Sequence, residues 1–442
     1  MTIRMDEGAA ELLDTLHRAG YAAYVVGGCV RDSLLGLTPH DWDLCTSALP
    51  QQGMELFGEE KCIPTGLQHG TVTVKQGGGL YEITTFRTEG AYTDGRHPDE
   101  VHFVPDVRED LARRDFTINA MAYNAKEGLI DPFGGQADLQ SGILRAVGVP
   151  HQRFTEDALR ILRLYRFAAR FGFAIDPPTA QAAQELCAHL DCVSVERIEE
   201  ELAKLLSAPA PAAYLNEKIL GVVLPELSPE ALAAAKPVVD ACPAGERALP
   251  VRLAALLLSL GEDGTRCTLR RLRCSNACVE ETAVLVREIV SGVPGAFSSD
   301  TNRAIPSPAL LPAATGSHPS GRSSEKLPAR PPVSLNIYTR KLLGKYNLCT
   351  VQRLAALGTA LQPEHAADFA ALSELAEQLD ADGVCCRVSQ LAVNGRDLMA
   401  AGVPAGPGIR KVLEALLDGV IREEYPNERQ ALLAAVQQLA AS

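Results

Sequence analysis

Apolar positions at two different spacings divide the chain into a mixed first part and a longer second part. Apolar residues recur at helical spacing within residues 6–19 and predict a helix that ends at Gly20. The apolar run Tyr24, Val25 and Val26 predicts a buried strand. Alternating runs at residues 71–75 and 81–87, separated by three glycines, predict a β-hairpin.

The pattern changes beyond Pro150, where the chain becomes rich in Ala, Leu, Arg and Glu and has few strand signals. We therefore expect helices from there to the end. Residues 155–171 predict one such helix, with Thr155 as its N-cap and Gly172 as its stop. Residues 112–123 also carry apolar positions that predict a helix: Phe116, Ile118, Ala120 and Met121.

Length and composition are typical of a globular protein with several domains. A chain of 442 residues is long for one core, so about three domains or subdomains are expected. The net charge of −13 argues mildly against a nucleic-acid partner, although binding depends on local patches. Twelve scattered cysteines without a C-x-x-C motif predict reduced thiols in a cytoplasmic protein, and no apolar run has the length of a membrane helix.

The first candidate chemistry lies just after the predicted strand. Gly27-Gly28 removes side chains from a turn, which lets main-chain N–H groups approach a phosphate. If the chain is extended from Asp41 to Leu44, Asp41 and Asp43 point the same way, a few ångströms apart. Magnesium often binds one or two carboxylates together with substrate phosphates. The alternative is an exposed polar strand end, because D-x-D alone is common.

Two further segments add polar groups. Glu82, on the second strand of the predicted hairpin, is a candidate third acid, and an exposed strand residue is an equally good interpretation. Arg114 is our choice for a triphosphate contact, because its guanidinium offers donors in a rigid fork. Asp115 and Asn119 are candidates for hydrogen bonds to a ribose. Alone, the R-R-D run would be explained as a surface salt-bridge cluster.

The predicted helix at residues 155–171 carries a pattern that could select a base. Asp157 and Arg160 are i, i+3 neighbours. A carboxylate can accept from the exocyclic amine of cytosine or adenine, and a guanidinium can donate to the adjacent ring nitrogen. Uracil and guanine would leave both groups unpaired, at about 1–3 kcal/mol each. Arg163 and Arg166 continue along the helix and would be free to meet phosphate or base edges. A solvated, salt-bridged face is the usual explanation for such a run.

These segments together resemble the class II tRNA nucleotidyltransferase and bacterial poly(A) polymerase family. The resemblance is dense from Tyr24 to about Leu206 and weaker beyond. The matching motifs are G-G-C-V-R-D with D-W-D, R-R-D-F-T-I-N-A-M-A-Y, D-P-F-G-G, E-D-A-L-R-I-L-R and V-E-R-I-E-E-E-L.

The resemblance implies an α+β protein whose small mixed-sheet head is followed by an all-helical neck, body and tail. It implies addition of C, C and A to the 3′ end of tRNA from CTP and ATP, with release of pyrophosphate by two-metal phosphoryl transfer. It further implies Mg²⁺ on Asp41 and Asp43. The implied nucleotide-binding residues are Gly28, Arg31, Arg114, Asp157, Arg160, Arg163 and Arg166.

The expected domains are a head at residues 1–150, a neck at 151–215, a helical body at 216–294 and a tRNA-binding remainder at 333–442. Residues 295–332, rich in Ser, Pro and Ala, are expected to be a disordered insertion.

Alternatives remain open within the family and outside it. The segment I-P-T-G-L-Q-H-G after the acid pair lacks the basic run usual in poly(A) polymerases. The element at residues 94–98, D-G-R-H-P, is one that CC-only enzymes tend to lack, so its presence suggests that the final A is also added. Poly(A), CC-only and A-only addition are the alternatives within the family. An RNA-binding protein with a decayed active site, or a metal phosphohydrolase using His40-Asp41, are the alternatives from other classes.

Overall fold

Strands and helices alternate through the head and give way to helices in the rest of the chain. The structure, a computed structural model, describes residues 3–64, 66–89, 101–291 and 335–439. The chain divides into two compact units, residues 1–225 and 226–442. The expected insertion at residues 295–332 and the element at residues 94–98 lie outside the described residues. The finer division into head, neck, body and tail stays a prediction.

The first unit contains all the named strands and the helices that pack with them. Its strands are β1 Ala23–Val26, β2 Leu44–Thr46, β3 Cys62–Ile63, β4 Thr71–Gln76, β5 Gly79–Thr85, β6 Arg87–Glu89, β7 Val101–Phe103, β8 Ala122–Asn124, β9 Gly128–Ile130, β10 Ile143–Leu144 and β11 Ala174–Ile175. Its helices are α1 Glu7–Arg18, α2 Gly28–Leu34, α3 Pro50–Phe57, α4 Val107–Ala112, α5 Gly135–Ser141, α6 Pro150–Glu156, α7 Leu159–Phe171, α8 Pro177–Glu185, α9 Val195–Leu206 and α10 Glu217–Val223.

The second unit is helical throughout its described part. Its helices are α11 Pro229–Ala241, α12 Leu249–Leu257, α13 Gly261–Arg271, α14 Asn276–Val290, α15 Leu335–Lys345, α16 Leu348–Leu361, α17 Ala366–Ala381, α18 Gly395–Ala400, α19 Pro407–Ile421 and α20 Arg429–Leu439. Within the described ranges, none of the helices combines the length and the apolarity that a membrane crossing requires.

The head contains a seven-stranded mixed sheet with the order β3-β4-β5-β2-β1-β8-β9. The β2–β5 pair is parallel and the other neighbours are antiparallel. The predicted strand is β1, which is buried along its whole length because both neighbouring strands and the helices cover it. The α+β prediction, with a mixed-sheet head and a largely helical remainder, is confirmed.

The sheet register brings the glycine turn and the acid pair to the same end of the central strands β1 and β2. Strand β1 ends where β2 begins, because the two strands are antiparallel and Val25 lies opposite Leu44. The N–H of Val26 donates to the carbonyl of Asp43 at 2.9 Å, and the N–H of Gly27 donates to that of Met121 at 3.1 Å. Residues far apart in sequence thus meet at one end of the central strands.

The helix predicted over residues 112–123 is wrong. Helix α4 ends at Ala112, and the chain continues through one 3-10 turn at Thr117–Asn119 into β8. The apolar residues of this segment are completely buried, and the ring of Phe116 packs edge-on against that of Phe167 on α7. The polar residues of the segment beyond its two arginines are buried as well, so it lacks the solvent-exposed face on which a helical assignment depends.

The helix predicted over residues 155–171 is interrupted near its start. Helix α6 ends at Glu156, Asp157 is extended with φ −142° and ψ 104°, and α7 begins at Leu159. Thr155 is therefore not an N-cap, and its hydroxyl donates to the carbonyl of His151 within α6. The predicted stop at Gly172 is confirmed, since this residue has φ 68° and a left-handed conformation. The expectation of helices alone beyond Pro150 also misses β11, which pairs with β10.

Candidate active site

The candidate site includes a glycine turn between β1 and α2. Gly27 has φ 77°, a conformation that favours glycine, and it leads directly into α2. A Cβ atom at Gly27 would lie 2.8 Å from Nη1 of Arg114. The missing side chain therefore lets the Arg114 guanidinium lie directly against the turn. Arg114, predicted for a triphosphate contact, and Gly28 are brought together here.

Asp41 and Asp43 lie just before β2, in exposed positions at the same end of the central strands as the glycine turn. Although solvent reaches Asp43, protein atoms surround its carboxylate, and the resulting loss of hydration is the first cause that raises the pKa of Asp43 above its ordinary value. The negative charges of Glu82 and Asp41 act in the same direction, and the positive charge of Arg114 opposes them. A carboxylate that resists ionisation beside other acids would gain from a nearby cation.

The acid pair fits a divalent ion that also binds substrate. Within the described ranges, no group of three or more His, Cys, Asp or Glu side chains could hold a metal ion by itself. Glu82 acts electrostatically on Asp43 but does not complete such a group. Two carboxylates are nevertheless the donor set that magnesium uses when phosphate oxygens and water supply its other ligands.

Asp110 orients the two arginines of the R-R-D run. This carboxylate is fully buried and accepts from Arg113 at 2.9 and 3.0 Å. It contacts Arg114 more weakly, at 3.4 Å, and the buried Nε of Arg114 has no hydrogen-bond partner. Burial opposes ionisation of Asp110, but the two arginines outweigh it and lower its pKa. Asp110 was not among the residues predicted from the sequence, although its spacing of three and four residues from the arginines was a usable signal.

Arg31 lies beneath the glycine turn, in a buried position on α2. It donates to Asp32 at 2.8 Å and to Asn119 at 2.6 Å. Its guanidinium also lies 5.3 and 4.9 Å from the rings of Phe167 and Phe171 on α7. Arg31 therefore connects the turn to the helix predicted to select the base.

Asp115 and Asn119 are engaged inside the protein. Asp115 accepts from the N–H of Phe116 at 2.8 Å, from Asn119 at 3.1 Å and from Arg163 at 2.9 and 2.7 Å. Burial would raise the pKa of Asp115, but Arg163 and the hydrogen bonds lower it to about 2. Asn119 bridges Asp115 and Arg31, so both residues belong to an internal network, and their contact with a ribose stays a prediction.

Asp157 and Arg160 are neighbours, but their side chains have separate partners. The carbonyl of Asp157 accepts from the N–H of Arg160 at 3.0 Å. Asp157 Oδ1 accepts from the N–H of Leu159 at 3.0 Å, and its Oδ2 accepts from Arg197 on α9 at 2.9 Å. Arg160 is buried and donates to Glu156 at 2.7 Å and to the carbonyl of Arg113 at 3.1 Å.

Arg163 and Arg166 are paired with carboxylates, in contrast to the expectation that they would be free. Besides Asp115, Arg163 lies 3.8 Å from Glu201, and Arg166 lies 2.5 Å from the same buried carboxylate. The Arg166 guanidinium also lies 3.8 Å from the ring centroid of Phe167. Arg197 and Glu201, both on α9, are thus partners that were not predicted from the sequence. Their one sequence signal was their position one turn apart in V-E-R-I-E-E-E-L.

Comparison with known proteins matches three parts of the chain to families of polymerases and nucleotidyltransferases. Family models match residues 23–145 as the "Poly A polymerase head domain", residues 172–230 as "Probable RNA and SrmB- binding site of polymerase A" and residues 337–436 as "tRNA nucleotidyltransferase domain 2".

The matches to individual proteins extend over almost the whole chain. The CCA-adding enzyme of Lactiplantibacillus plantarum is 36% identical over 97% of this chain and 95% of its own. That of Geobacillus stearothermophilus is 34% identical over 96% and 95%. The crystal structure of the Bacillus stearothermophilus CCA-adding enzyme in complex with CTP superposes with a TM-score of 0.77 at 30% identity, covering 99% and 98%.

The mixed-sheet head, with its glycine turn and acid pair, defines the class of this protein as a nucleotidyltransferase. Enzymes of this class generally use divalent metal ions. The chain belongs to the CCA-adding enzyme family, because the likeness covers 97% of the chain at 36% identity. The resemblance seen in the sequence motifs is thereby confirmed.

Proposed function

We propose that this protein adds C, C and A to the 3′ end of tRNA from CTP and ATP, releasing pyrophosphate. The observation that carries the proposal is the full-length likeness to CCA-adding enzymes, which includes both the head and the tail. The relative that superposes with a TM-score of 0.77 was crystallised with CTP, a substrate of the proposed reaction. Residues 333–442, predicted as the rest of the body and the tail, are proposed to bind tRNA, supported by the tRNA nucleotidyltransferase family match at residues 337–436.

Asp41 and Asp43 are proposed to hold Mg²⁺. Their support is the pair of carboxylates just before β2, at the end of the central strands where the glycine turn also lies. When bound, such ions lower the pKa of an attacking hydroxyl and neutralise charge on a leaving pyrophosphate. The protein's part is to hold both carboxylates beside the turn where the triphosphate would lie.

Gly28, Arg31 and Arg114 are proposed to surround the triphosphate and the sugar. The open turn at Gly27-Gly28 gives phosphate oxygens access to main-chain N–H groups. Arg114 keeps unused donor capacity, since its buried Nε lacks a hydrogen-bond partner and its bond to Asp110 is long. Binding a phosphate would supply the missing acceptor.

Asp157 and Arg160 are proposed to select cytosine and adenine through the amine and the adjacent ring nitrogen. Arg163 and Arg166 are proposed to complete the nucleotide-binding wall while anchored by Asp115 and Glu201. We expect Asp157→Ala to lose the preference for CTP and ATP over UTP and GTP, or most activity, because the acceptor for the exocyclic amine is removed. Competition between the four nucleotides in a primer-extension assay measures this, and unchanged selectivity would contradict the scheme.

The experiment that tests the function uses tRNA ending at the discriminator base, in C, or in CC. Each substrate is incubated with purified protein, Mg²⁺ and CTP or ATP separately, and the products are resolved to one nucleotide. Two C additions to the first substrate, one to the second and one A to the third support the proposal. A run of A residues would indicate poly(A) addition, and activity on only the first two or only the third would indicate a CC-only or A-only enzyme.

The cytoplasm is the proposed place of action. All twelve cysteines are free thiols, as the reducing conditions of that compartment would keep them.

A further inference from the structure

Asp157 occupies a break between two helices, so the helical backbone does not fix its side chain. The residue is extended, and α7 begins only at Leu159. The terminal torsion of an aspartate is intrinsically broad. A carboxylate that must accept from one particular amine therefore needs contacts that set its plane.

Two contacts set that plane, and they come from different elements. Oδ1 accepts from the N–H of Leu159 at 3.0 Å, and Oδ2 accepts from Nη2 of Arg197 at 2.9 Å. The first contact belongs to the start of α7 itself, and the second crosses to α9. Since an ionised carboxylate has about four acceptor positions, both oxygens keep capacity for a further donor.

Arg197 is placed for this contact at a cost to its own helix. It lies in the first turn of α9, where the helix dipole disfavours a positive charge. Its side chain is 22% exposed and that of Asp157 is 15% exposed, so the pair is largely shielded from water. Glu201, one turn further along α9, contacts Arg166 on α7. Helix α9 thus presents one positive and one negative charge to partners of opposite sign.

We propose that Arg197 is a positioning residue for base selection, which holds the Asp157 carboxylate in the orientation that accepts the amine of cytosine or adenine. The inference rests on the proposed function, since it concerns how the same site chooses its nucleotide. Arg197 itself acts through Asp157 and does not contact the nucleotide.

The test compares Arg197→Met with Lys204→Met in the full-length protein. Methionine keeps most of the length of the arginine stem but cannot pair with Asp157. Lys204→Met removes one positive charge from the same helix, where Lys204 pairs with the exposed Glu200. The readout is the ratio of kcat/KM for CTP to kcat/KM for UTP, measured on tRNA ending at the discriminator base.

We expect Arg197→Met to lower that ratio by about tenfold or more, and Lys204→Met to leave it within about twofold of the wild-type ratio. A merely structural role would lower the rates with both nucleotides equally. An unchanged ratio in Arg197→Met would therefore overturn the inference, whatever the absolute rate. An equal fall in Lys204→Met would overturn it as well, because the effect would then be one of charge on α9.

Two controls keep the result interpretable. If Arg197→Met does not fold, Arg197→Gln replaces it, because glutamine stays polar at this position but is too short to reach Asp157, and the same ratios decide. The wild-type protein must add C, C and A under the same conditions. A wild type that adds no C would refute the proposed function, whereas an active wild type with an unchanged ratio in the variant would refute only the role of Arg197.

Discussion

Asp115 shows how a single buried carboxylate can connect the head to the helix beyond it. Its side chain is only 8% exposed, yet it accepts from its own segment and from Arg163 on α7. Ion pairs at the surface contribute little, but a buried and hydrogen-bonded one is strongly coupled to folding. The cost of disturbing it should therefore depend on pH.

The stability contributed by Asp115 is expected to disappear in acid. Folding lowers its pKa from 3.8 to about 2, so its contribution is complete above the unfolded pKa and is lost as the pH falls through the folded one. The difference in unfolding free energy between the wild type and Asp115→Asn should shrink by about 2 kcal/mol between about pH 5 and pH 2. Urea unfolding of both proteins at each pH measures it, and a difference independent of pH would contradict the assignment.

Two helices of the head each contain a glycine, and the space around the two glycines differs. Gly135 is the first residue of α5, and a Cβ there would lie 2.2 Å from the carbonyl oxygen of Thr117. Gly53 lies inside α3, and a Cβ there would meet nothing within 4 Å. The same substitution should therefore have opposite signs at the two sites.

Gly135→Ala should destabilise the protein by about 2 kcal/mol, because the methyl group meets main chain that cannot move aside cheaply. Gly53→Ala should stabilise it by about 0.5–1 kcal/mol, because alanine loses less entropy in a helix. Urea unfolding of the two variants measures both effects, and Gly53→Ala serves as the matched control. Stabilisation by Gly135→Ala would mean that α5 and the Thr117 turn are less closely packed.

The α7–α9 pair depends on a buried ion pair between Arg166 and Glu201. The exposed fractions of these side chains are 11% and 6%. Removing one partner of such a pair leaves an uncompensated charge, at a cost of about 3–5 kcal/mol, whereas replacing both partners by apolar residues is often close to neutral.

Glu201→Met should accordingly lower the unfolding free energy by about 3 kcal/mol. Adding Arg166→Met should recover most of the loss, although the double variant should remain catalytically impaired. Denaturant unfolding of the two single variants and the double variant measures the coupling. Additive losses in the double variant would show that the two side chains do not act as a pair.

Over the whole molecule, the local patterns predicted most of the fold and the tertiary contacts explain the failures. Helix α1, strand β1 and the stop at Gly172 follow from spacing and glycine alone. The segment around Phe116 was misassigned because its polar residues Asp115, Thr117 and Asn119 are buried and hydrogen-bonded internally, so they do not form the solvent face of a helix. The break at Asp157 was missed because its neighbours continue the helical pattern on both sides.

The sequence likewise predicted one part of the candidate site and missed another. Asp41, Asp43, Gly28 and Arg114 could be grouped by motif and alternation, since the sequence reveals the strand ends near which the structure brings them together. Asp110, Arg197 and Glu201 were missed as partners. Arg197 meets Asp157 across 40 residues of chain, and Glu201 likewise meets Arg166 on another helix, so their roles appear only after folding. Their importance is a property of the tertiary structure.

The most direct measurement is incorporation of labelled CTP into tRNA by Asp43→Ala. It tests whether nucleotide transfer depends on the acid pair at the end of the central strands. Loss of metal-dependent charge stabilisation costs several kcal/mol, so we expect a fall on the order of 10³-fold or more. Thermal unfolding and tRNA affinity should stay unchanged. Asp14→Ala, which removes an exposed carboxylate paired with Arg18, should retain full incorporation. Wild-type incorporation by a folded Asp43→Ala variant would contradict a catalytic role for the pair.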